Sequence, residues 1–182
     1  MATFIMLPDG DVLSAWDASG GGTASYTDVD NDDGNTQYAF TNTSGERLQV
    51  TLAAPSVAEE DIDMSAGITV TIKASAIKTL SGSSYVDFYQ LGTAADSSII
   101  SNGYDRITVP SSGSYATYSG TAETTSDGSD DWVYGDLAGL QIRLSKFRND
   151  RFGELRVSYL YAEVAYTEAA VADNATFFGA NF

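Results

Sequence analysis

Short runs of residues that alternate between apolar and polar recur along most of this chain, and they constrain its fold more than any other feature. In residues 67–78, GITVTIKASAIK, the residues Ile68, Val70 and Ile72 alternate with threonine and lysine. A two-residue period places the apolar side chains on one face of a β-strand and the polar ones on the other. Clusters of glycine, serine, asparagine and aspartate separate such runs, as in tight turns. The pattern therefore predicts strands joined by turns.

The alternation predicts an all-β fold, which we expect to be an antiparallel β-sandwich of jelly-roll type with extended terminal arms. The best helical candidate, SVAEEDIDM at 56–64, is short and acidic and predicts a single turn. The last strand, ELRVSYLYAEVAY, has no purely polar face, so we expect another element or subunit to cover part of its second face. The predicted strands are 11–16, 23–29, 37–42, 46–53, 67–76, 84–91, 104–109, 114–121, 139–147 and 154–166.

The apolar positions of three of these strands predict the core of the sandwich. We expect one face of each strand to pack inwards and the other to contact water. The residues predicted to form this core are Ile68, Val70, Ile72, Leu140, Ile142, Leu144, Leu155 and Val157.

The chain has 182 residues, enough for one well-packed domain. We predict a β-sandwich domain over residues 11–166, an N-terminal arm over 1–10 and a C-terminal arm over 167–182. Both arms carry apolar residues without a neighbouring strand in sequence, so we expect them to dock, either on the domain itself or on another chain. These residues are Phe4, Ile5 and Met6 in the first arm, and Phe177, Phe178 and Phe182 in the second.

Composition excludes several classes of function. Nine basic and 25 acidic residues give a formal charge of −16, which disfavours binding to nucleic acid. The chain contains neither cysteine nor histidine, so it lacks thiolate and Ser-His-Asp catalysis and imidazole metal ligands. No apolar run approaches the length of a membrane span, and no basic residue precedes the first apolar segment, as a secretory signal would require. We expect synthesis in a cytoplasm and no membrane partner.

The segment YTDVDNDDGNTQYAF at 26–40 contains four closely spaced aspartates. An EF-hand loop counted from Asp28 fails, because position 6 is Asp33 and position 12 is Ala39, where glycine and glutamate are needed. A looser calcium site from Asp28, Asp30, Asn31 and Asp32 stays open. An Asx-rich turn accounts for the composition without a ligand, so the sequence favours a turn and predicts neither a metal site nor a cofactor.

Other candidate chemistry is weaker still. Aspartate and glutamate lie mainly in loops such as VAEEDID and SDGSDDW, so no pair is a specific indication of a hydrolase and we predict no catalytic residue. A platform for stacking on sugars would need exposed aromatic rings, whereas the same rings in a core would look identical in sequence. The sequence favours the core for these aromatic residues, which are Trp16, Trp132, Tyr134, Tyr115 and Tyr118.

Several motifs occur in a recognisable order between residues 12 and 166. Trp16 is followed by SGGG at 19–22, Tyr26, Val29-Asp30, Asp32-Asp33 and Tyr38, and later by GITVTIKASA, SYATYSGTA, DLAGLQIRL and LRVSYLYAEVAY. This order resembles a family of β-sandwich virion structural proteins of tailed bacteriophages. The chain departs from that family at Asn31, where glutamate is frequent, and at TTSDGSDDWVYG, where a short helix is frequent.

The resemblance implies a non-enzymatic capsid decoration, or cement, protein on the outer surface of a virion. Its partners would be the major capsid protein and neighbouring copies of itself, in a dimer or trimer joined by the terminal arms. The alternative is a carbohydrate-binding or receptor-binding tail module of similar fold, which would need an exposed aromatic platform or a metal-anchored sugar site. Burial of Trp16 and Trp132 would favour the structural role.

Overall fold

The structure is a computed structural model that describes residues 1–31, 36–80, 83–91, 105–126, 129–147 and 153–170. Its strands are β1 Ala2–Met6, β2 Pro8–Ser14, β3 Asp17–Ala18, β4 Ala39–Thr41, β5 Arg47–Leu52, β6 Ile68–Lys78, β7 Ser83–Leu91, β8 Asp105–Pro110, β9 Ala116–Ser119, β10 Gln141–Lys146 and β11 Leu155–Tyr166. One short helix, α1, spans Tyr134–Leu137. No helix in these ranges has the length and apolar character that crossing a membrane would require.

The strands form two sheets, and the neighbouring strands in each sheet run antiparallel. The six-stranded sheet has the order β3-β4-β11-β6-β9, with β1 added beside β11. The five-stranded sheet has the order β2-β5-β10-β7-β8. When the eight strands from β4 to β11 are numbered 1 to 8, the two sheets have the orders 1-8-3-6 and 2-7-4-5. This is a jelly-roll sandwich, as the sequence predicts.

The core lies between the two sheets and is formed by the inward positions of the alternating strands. All eight residues predicted for the core are buried, and none is more than 3% exposed. The five-stranded sheet contributes further inward residues that follow the same alternation, namely Leu48, Val50 and Leu52 in β5 and Val86 and Phe88 in β7.

A β-bulge explains why β11 has no purely polar face. The pairing of β11 with β6 shifts between Val157 and Tyr159, so Ser158 is an additional residue without a counterpart on β6. Val157 and Leu160 both face the core, although regular alternation would place them on opposite faces. The covering element or subunit that the sequence analysis expects is unnecessary, because the bulge exchanges the two faces within the strand.

The two sheets include residues 2–10, which the sequence analysis assigns to an arm. β1 pairs with β11 from Ala2 to Met6, and β2 pairs with β5. Phe4 and Met6 are 7% and 1% exposed within the core of this chain, whereas Ile5 points outwards and is 46% exposed. Sequence did not indicate this strand because its partner lies near the other end of the chain. Phe177, Phe178 and Phe182 lie outside the described residues.

Two further sequence expectations differ from the structure in detail. The strand predicted over 23–29 is wrong, since Tyr26–Asp28 form a turn of 3-10 helix. The carboxylate of Asp28 accepts a hydrogen bond from the Ser25 backbone N–H at 2.8 Å, and this local contact prevails over the alternating pattern. The single turn predicted over 56–64 corresponds to two 3-10 turns, Glu59–Asp61 and Met64–Ala66.

Candidate functional site

The outward face of the five-stranded sheet carries a band of polar side chains whose middle members are buried and whose ends are exposed. One row of paired residues crosses β8, β7, β10 and β5 in the order Arg106, Asp87, Ser145 and Arg47. The two outer arginines are exposed, whereas Asp87 is 3% and Ser145 is 8% exposed. We call this surface the polar trough; it comprises Arg47, Gln49, Tyr85, Asp87, Arg106, Gln141, Arg143, Ser145 and Phe147.

Strand alternation places these polar residues outwards. In β5, RLQVTL, the leucine and valine side chains face the core, so Gln49 faces away from it. In β10, QIRLSK, Ile142 and Leu144 face the core, so Gln141 and Arg143 lie on the outward face. Gln49 is paired with Arg143 in the strand register, which brings the long side chains of the two strands together.

A chain of hydrogen bonds fixes the amide groups on the floor of the trough. The Nε of Arg143 donates to Oε1 of Gln49 at 2.8 Å, and Nε2 of Gln49 donates to Oε1 of Gln141 at 2.5 Å. Both glutamines are 6% exposed. Because Oε1 of Gln141 already accepts a hydrogen bond, the Nε2 group of Gln141 ends the chain as a donor.

An ion pair and an aromatic ring form the opposite flank of the trough. Arg106 donates two hydrogen bonds to the carboxylate of Asp87, at 2.8 and 3.0 Å. Its guanidinium carbon lies 3.1 Å from the ring centroid of Phe147, which is 47% exposed. The backbone N–H of Phe147 donates to the Tyr85 carbonyl at 3.0 Å, so pairing with β7 continues past the end of β10. The guanidinium plane is therefore fixed by both the carboxylate and the ring.

The trough has a charge unlike that of the protein as a whole. Three of the nine basic residues, Arg47, Arg106 and Arg143, lie on this one face. Among the described outward residues of β5, β7, β8 and β10, Asp87 is the single carboxylate. At the β2 edge, Asp9 accepts a hydrogen bond from Thr51 at 2.8 Å. The β5–β10 side of the trough is thus locally basic on a chain of net charge −16.

The outward face of the six-stranded sheet is aromatic instead. The rings of Tyr159 and Tyr161 have centroids 4.6 Å apart, and those of Tyr38 and Phe40 are 6.1 Å apart. The guanidinium carbon of Arg156 lies 4.6 Å from the Tyr38 ring centroid. These five residues, which we call the aromatic face, are all half-buried. The bulge at Ser158 is the reason that Tyr159 and Tyr161 point outwards.

The acidic loop takes part in the fold through the aspartates that the structure describes. Asp28 caps the 3-10 turn, and Asp30 forms a β-bridge with Tyr159 beside the bulge. No group of three or more Asp or Glu side chains in the described ranges is arranged to hold a metal ion. Asp32 and Asp33 lie outside those ranges, so the calcium hypothesis stays a prediction. The contact made by Asp28 agrees with the turn that the sequence favours.

The aromatic residues considered from sequence do not form a stacking platform. Trp16 and Trp132 are 0% and 2% exposed, so both belong to the core, as the sequence favours. Tyr134 is half-buried and its hydroxyl donates to the Val57 carbonyl at 2.7 Å. Tyr115 and Tyr118 are half-buried at and beside β9. By the criterion of the sequence analysis, burial of the two tryptophans favours a structural role, and any sugar-stacking ring must be another one.

Sequence reasoning missed the glutamines of the trough. The available signal was a glutamine between two apolar residues in each strand. It occurs in LQV of β5 and in LQI at the start of β10. Such a residue at an outward strand position is unremarkable alone. Only the pairing of β5 with β10 shows that the two amides meet.

Two concave regions lie elsewhere and bring fewer directed side chains together. A cleft of about 540 Å³ is lined by Ser56, Val57, Ala58, Asp61, Tyr166, Glu168 and Ala169. A backbone hydrogen bond joins two of its lining segments, since the Ala169 N–H donates to the Asp61 carbonyl at 2.9 Å. A second cleft of about 330 Å³ lies beside the start of β6. Small side chains line most of both clefts, so the polar trough is the stronger candidate site.

A carboxylate with an altered pKa lies beside the β8–β9 side of the sandwich. Partial burial raises the pKa of Glu123, and the negative charge of Asp105 raises it further. Asp105 accepts hydrogen bonds from the backbone N–H of Thr121 at 2.5 Å and from its hydroxyl at 2.9 Å. Asp105 therefore joins the start of β8 to the segment after β9, which is a structural role.

The chain is an antiparallel β-sandwich, and comparison with known proteins adds resemblance of shape. No protein-family model and no curated protein matches it. The CBM36-1 domain of a multidomain xylanase from the hindgut metagenome of Trinervitermes trinervoides is similar, with a TM-score of 0.46 and 10% identity, over 93% of this chain and 100% of that domain.

Two further solved structures are similar with lower TM-scores. The CBM22-1 xylan-binding domain of Paenibacillus barcinonensis Xyn10C has a TM-score of 0.44 and 13% identity, over 91% of this chain and 97% of that one. An exo-β-agarase has a TM-score of 0.37 and 11% identity, over 94% of this chain and 24% of the agarase. Similarity this low says nothing about what the present chain binds.

Proposed function

We propose that this protein is a non-catalytic module that binds a saccharide chain in the polar trough of its five-stranded sheet. The observation that carries the proposal is the chain of hydrogen bonds from Arg143 through Gln49 to Gln141. Both amides are 6% exposed on the floor of an outward sheet face, where a purely structural surface would tolerate water-exposed side chains. Polar side chains that neighbouring hydrogen bonds hold in place are preorganised to meet a ligand.

The side chains of the trough suit sugar hydroxyl groups. A hydroxyl both donates and accepts hydrogen bonds, and amide, carboxylate and guanidinium groups offer such partners in a fixed plane. Gln141 supplies a donor, and the carboxylate of Asp87, already oriented by Arg106, supplies acceptor lone pairs. Because neighbouring side chains hold these groups in place, binding would order few rotamers, which favours affinity.

Phe147 supplies the apolar contact that a sugar ring requires. The residue is 47% exposed at one end of the trough, while part of its ring packs against Arg106. The C–H groups of a pyranose can pack on the exposed part while the hydroxyl groups contact the polar floor. In ligand sites, directed polar groups fix the orientation of the bound molecule while apolar side chains contact its surface.

The proposal is tested by affinity electrophoresis against a panel of neutral and acidic polysaccharides. We expect retardation by at least one of them, and we expect Gln141→Ala to weaken that interaction about ten-fold or more. Tyr161→Ala on the aromatic face is the control and should migrate like the wild type. If Tyr161→Ala abolished the retardation and Gln141→Ala did not, the result would show that the saccharide binds to the six-stranded sheet. No retardation by any polysaccharide would contradict the function.

We propose as a second candidate a structural virion protein that joins capsid subunits on the outer surface of a particle. The feature that favours it is a set of exposed apolar residues along the first two strands and their connection. Ile5 is 46%, Leu7 36%, Val12 45% and Leu13 46% exposed. Apolar contact through these side chains would help to overcome the repulsion between strongly acidic copies.

The second candidate predicts that this N-terminal surface holds the protein in an assembly. Replacing Ile5 and Val12 with threonine keeps β-branched side chains in both strands while removing apolar surface. Cosedimentation with purified capsids, together with the mass of the free protein by light scattering, measures the effect. We expect wild-type protein to sediment with particles and the double variant to stay in solution. Equal behaviour of the two proteins would exclude this surface as the point of attachment.

A further inference from the structure

We propose that the cleft lined by Asp61, Tyr166 and Glu168 binds a primary ammonium group. This cleft of about 540 Å³ lies at the end of β11 and shares no residue with the polar trough, so the inference does not depend on saccharide binding. The ammonium group could belong to a small amine or to a lysine side chain of a partner protein, since both offer the same three donors.

Tyr166 is a buried tyrosine whose hydroxyl group opens into the cleft. The residue is 7% exposed, and its ring packs on that of Phe4, with the ring centroids 5.7 Å apart. The hydroxyl makes no hydrogen bond with the residues that the structure describes, yet it keeps access to solvent, and Tyr166 lines the cleft. The packed ring therefore presents a fixed hydroxyl with free lone pairs to a molecule in the cleft.

Two carboxylates line the cleft together with this hydroxyl. Asp61 and Glu168 are exposed, and neither side chain forms a hydrogen bond or an ion pair with another residue in the described part of the chain. Backbone pairing holds their two segments side by side, because the Ala169 N–H donates to the Asp61 carbonyl at 2.9 Å and Ile62 forms a β-bridge with Glu168. The three donors of an ammonium group match the hydroxyl and the two carboxylates.

The charge around the cleft favours a cation. Its lining segments, residues 53–66 and 166–170, contain four and one carboxylates and no lysine or arginine. Along β6 and β11 the nearest basic residue is Lys73, which has an ion pair at 2.7 Å. It lies opposite the residue five positions before Tyr166, about 16 Å away at the rise of a strand. The Met1 amino group forms no ion pair within the described residues, and Met1 lines the second cleft.

The other side chains of the cleft suit an alkyl ammonium group better than a metal ion. Where the structure describes the chain, carboxylates do not converge in groups of three, as a bound metal ion would require. Val57, Ala58 and Ala169 contribute apolar surface to the lining. Such surface can pack on the methylene groups that carry an ammonium group, as it does along the stem of a lysine side chain.

The experiment is a nuclear magnetic resonance titration of the isotope-labelled protein with matched probes. Nα-acetyl-lysine methylamide is the charged probe, and its Nε-acetylated form is the neutral one. We expect the charged probe to shift the backbone amide signals of Asp61 and Ala169 and to bind about ten-fold or more tightly than the neutral one, with an advantage that shrinks as salt rises. Cadaverine distinguishes the two sources: tighter binding of this diamine indicates a small amine, and tighter binding of the lysine probe indicates a partner protein.

Variants of the cleft locate the effect. Tyr166→Phe keeps the ring that packs on Phe4 and should fold normally, but it should weaken binding of the lysine probe about three-fold or more. Asp61→Asn and Glu168→Gln should each weaken it about ten-fold. The control is Glu60→Gln, which removes the same charge from a residue that does not line the cleft and should change the affinity by about two-fold or less.

Three results would overturn the inference. Equal weakening in the control and in the cleft variants would mean that the probe responds only to the overall negative charge. Equal affinity for the neutral probe would mean that the ammonium group is not recognised. Absence of binding by both the lysine probe and cadaverine would exclude the site. None of these results would affect the proposal that the polar trough binds a saccharide.

Discussion

The residues of the polar trough show how strongly hydrogen bonding decides whether a polar group can be buried. Gln49 and Gln141 lose nearly all contact with water on the outward face of the sheet. An amide in that position costs stability unless its donors and acceptors are matched, and the contacts to Arg143 and between the two amides provide the matches. The same contacts that allow burial also hold the groups in the orientation that a ligand would meet.

The amide of Gln49 links the other two groups, so we expect Gln49→Leu to be destabilising. Leucine has similar size, but the variant leaves Nε of Arg143 and Oε1 of Gln141 without the partner they have in the wild type. We expect a loss of about 1–3 kcal/mol in the free energy of unfolding, measured by urea denaturation. Ser75→Ala, which alters a polar residue of 8% exposure on the outward face of the other sheet, is the control. Equal, small losses in both variants would show that the hydrogen-bond chain contributes little.

The raised pKa of Glu123 predicts a pH-dependent effect on stability. Burial and the charge of Asp105 disfavour the ionised carboxylate in the folded protein. The resulting destabilisation is present above the folded-state pKa and is relieved as the pH falls through that value and the carboxyl becomes protonated. Glu123→Gln should therefore raise the melting temperature at pH 7.

Below about pH 4, which is under the ordinary pKa of glutamate, the carboxyl of Glu123 is mostly protonated in the folded and the unfolded protein. The wild type and Glu123→Gln should therefore melt at similar temperatures there. Thermal denaturation of both proteins across this pH range measures the difference. A stabilising effect that is the same at both ends of the range would mean that the substitution acts through packing and that ionisation of Glu123 is not its cause.

Among the elements, β11 shows both what alternation can predict and where it fails. The pattern correctly marks residues 155–166 as one long strand, and it identifies Leu155 and Val157 as core. It cannot show that Ser158 is an additional residue, because a bulge depends on the pairing with β6 and on the approach of Val29 and Asp30. The Leu160 N–H donates to the Val29 carbonyl at 2.9 Å, so the stem of the acidic loop attaches beside the bulge.

Deletion variants of β11 test the bulge directly. Removing Ser158 would leave Leu155, Val157 and Leu160 facing the core in regular alternation, so we expect the variant to fold. Removing Tyr161 would instead turn one half of the strand so that its apolar residues face outwards. Circular dichroism and thermal melting should show a folded, cooperative protein for the first deletion and loss of the fold for the second. Similar melting of the two variants would contradict the assignment of Ser158 as the additional residue.

Sequence could predict the other elements to different degrees. The strands around Ile142 and Ile72 were predictable because several alternating residues agree with each other. β1 was not, because five residues at the chain start become a strand only through pairing with β11. The polar trough was not predictable either, since the contact between Gln49 and Gln141 spans 92 positions and exists only once β5 and β10 are neighbours.

At the scale of the whole molecule, the jelly-roll sandwich presents two outward sheet faces of different chemistry. One carries the polar trough with three arginines, and the other carries the half-buried aromatic face around Arg156. The sequence predicts a sandwich whose outward faces contact water. It does not show which of the two faces carries which of these residues. That distribution is set by the strand orders 1-8-3-6 and 2-7-4-5, and it is the reason that one face is the stronger candidate for binding.

A nuclear magnetic resonance titration can locate the saccharide on the protein surface. Oligosaccharide fragments of the polysaccharide that gives the strongest retardation would be added to isotope-labelled protein. We expect the largest shifts in the side-chain amide signals of Gln49 and Gln141, with the Arg143 Nε–H signal also affected. Shifts centred on Tyr38, Arg156 and Tyr161 of the aromatic face, with those trough signals unchanged, would contradict this prediction.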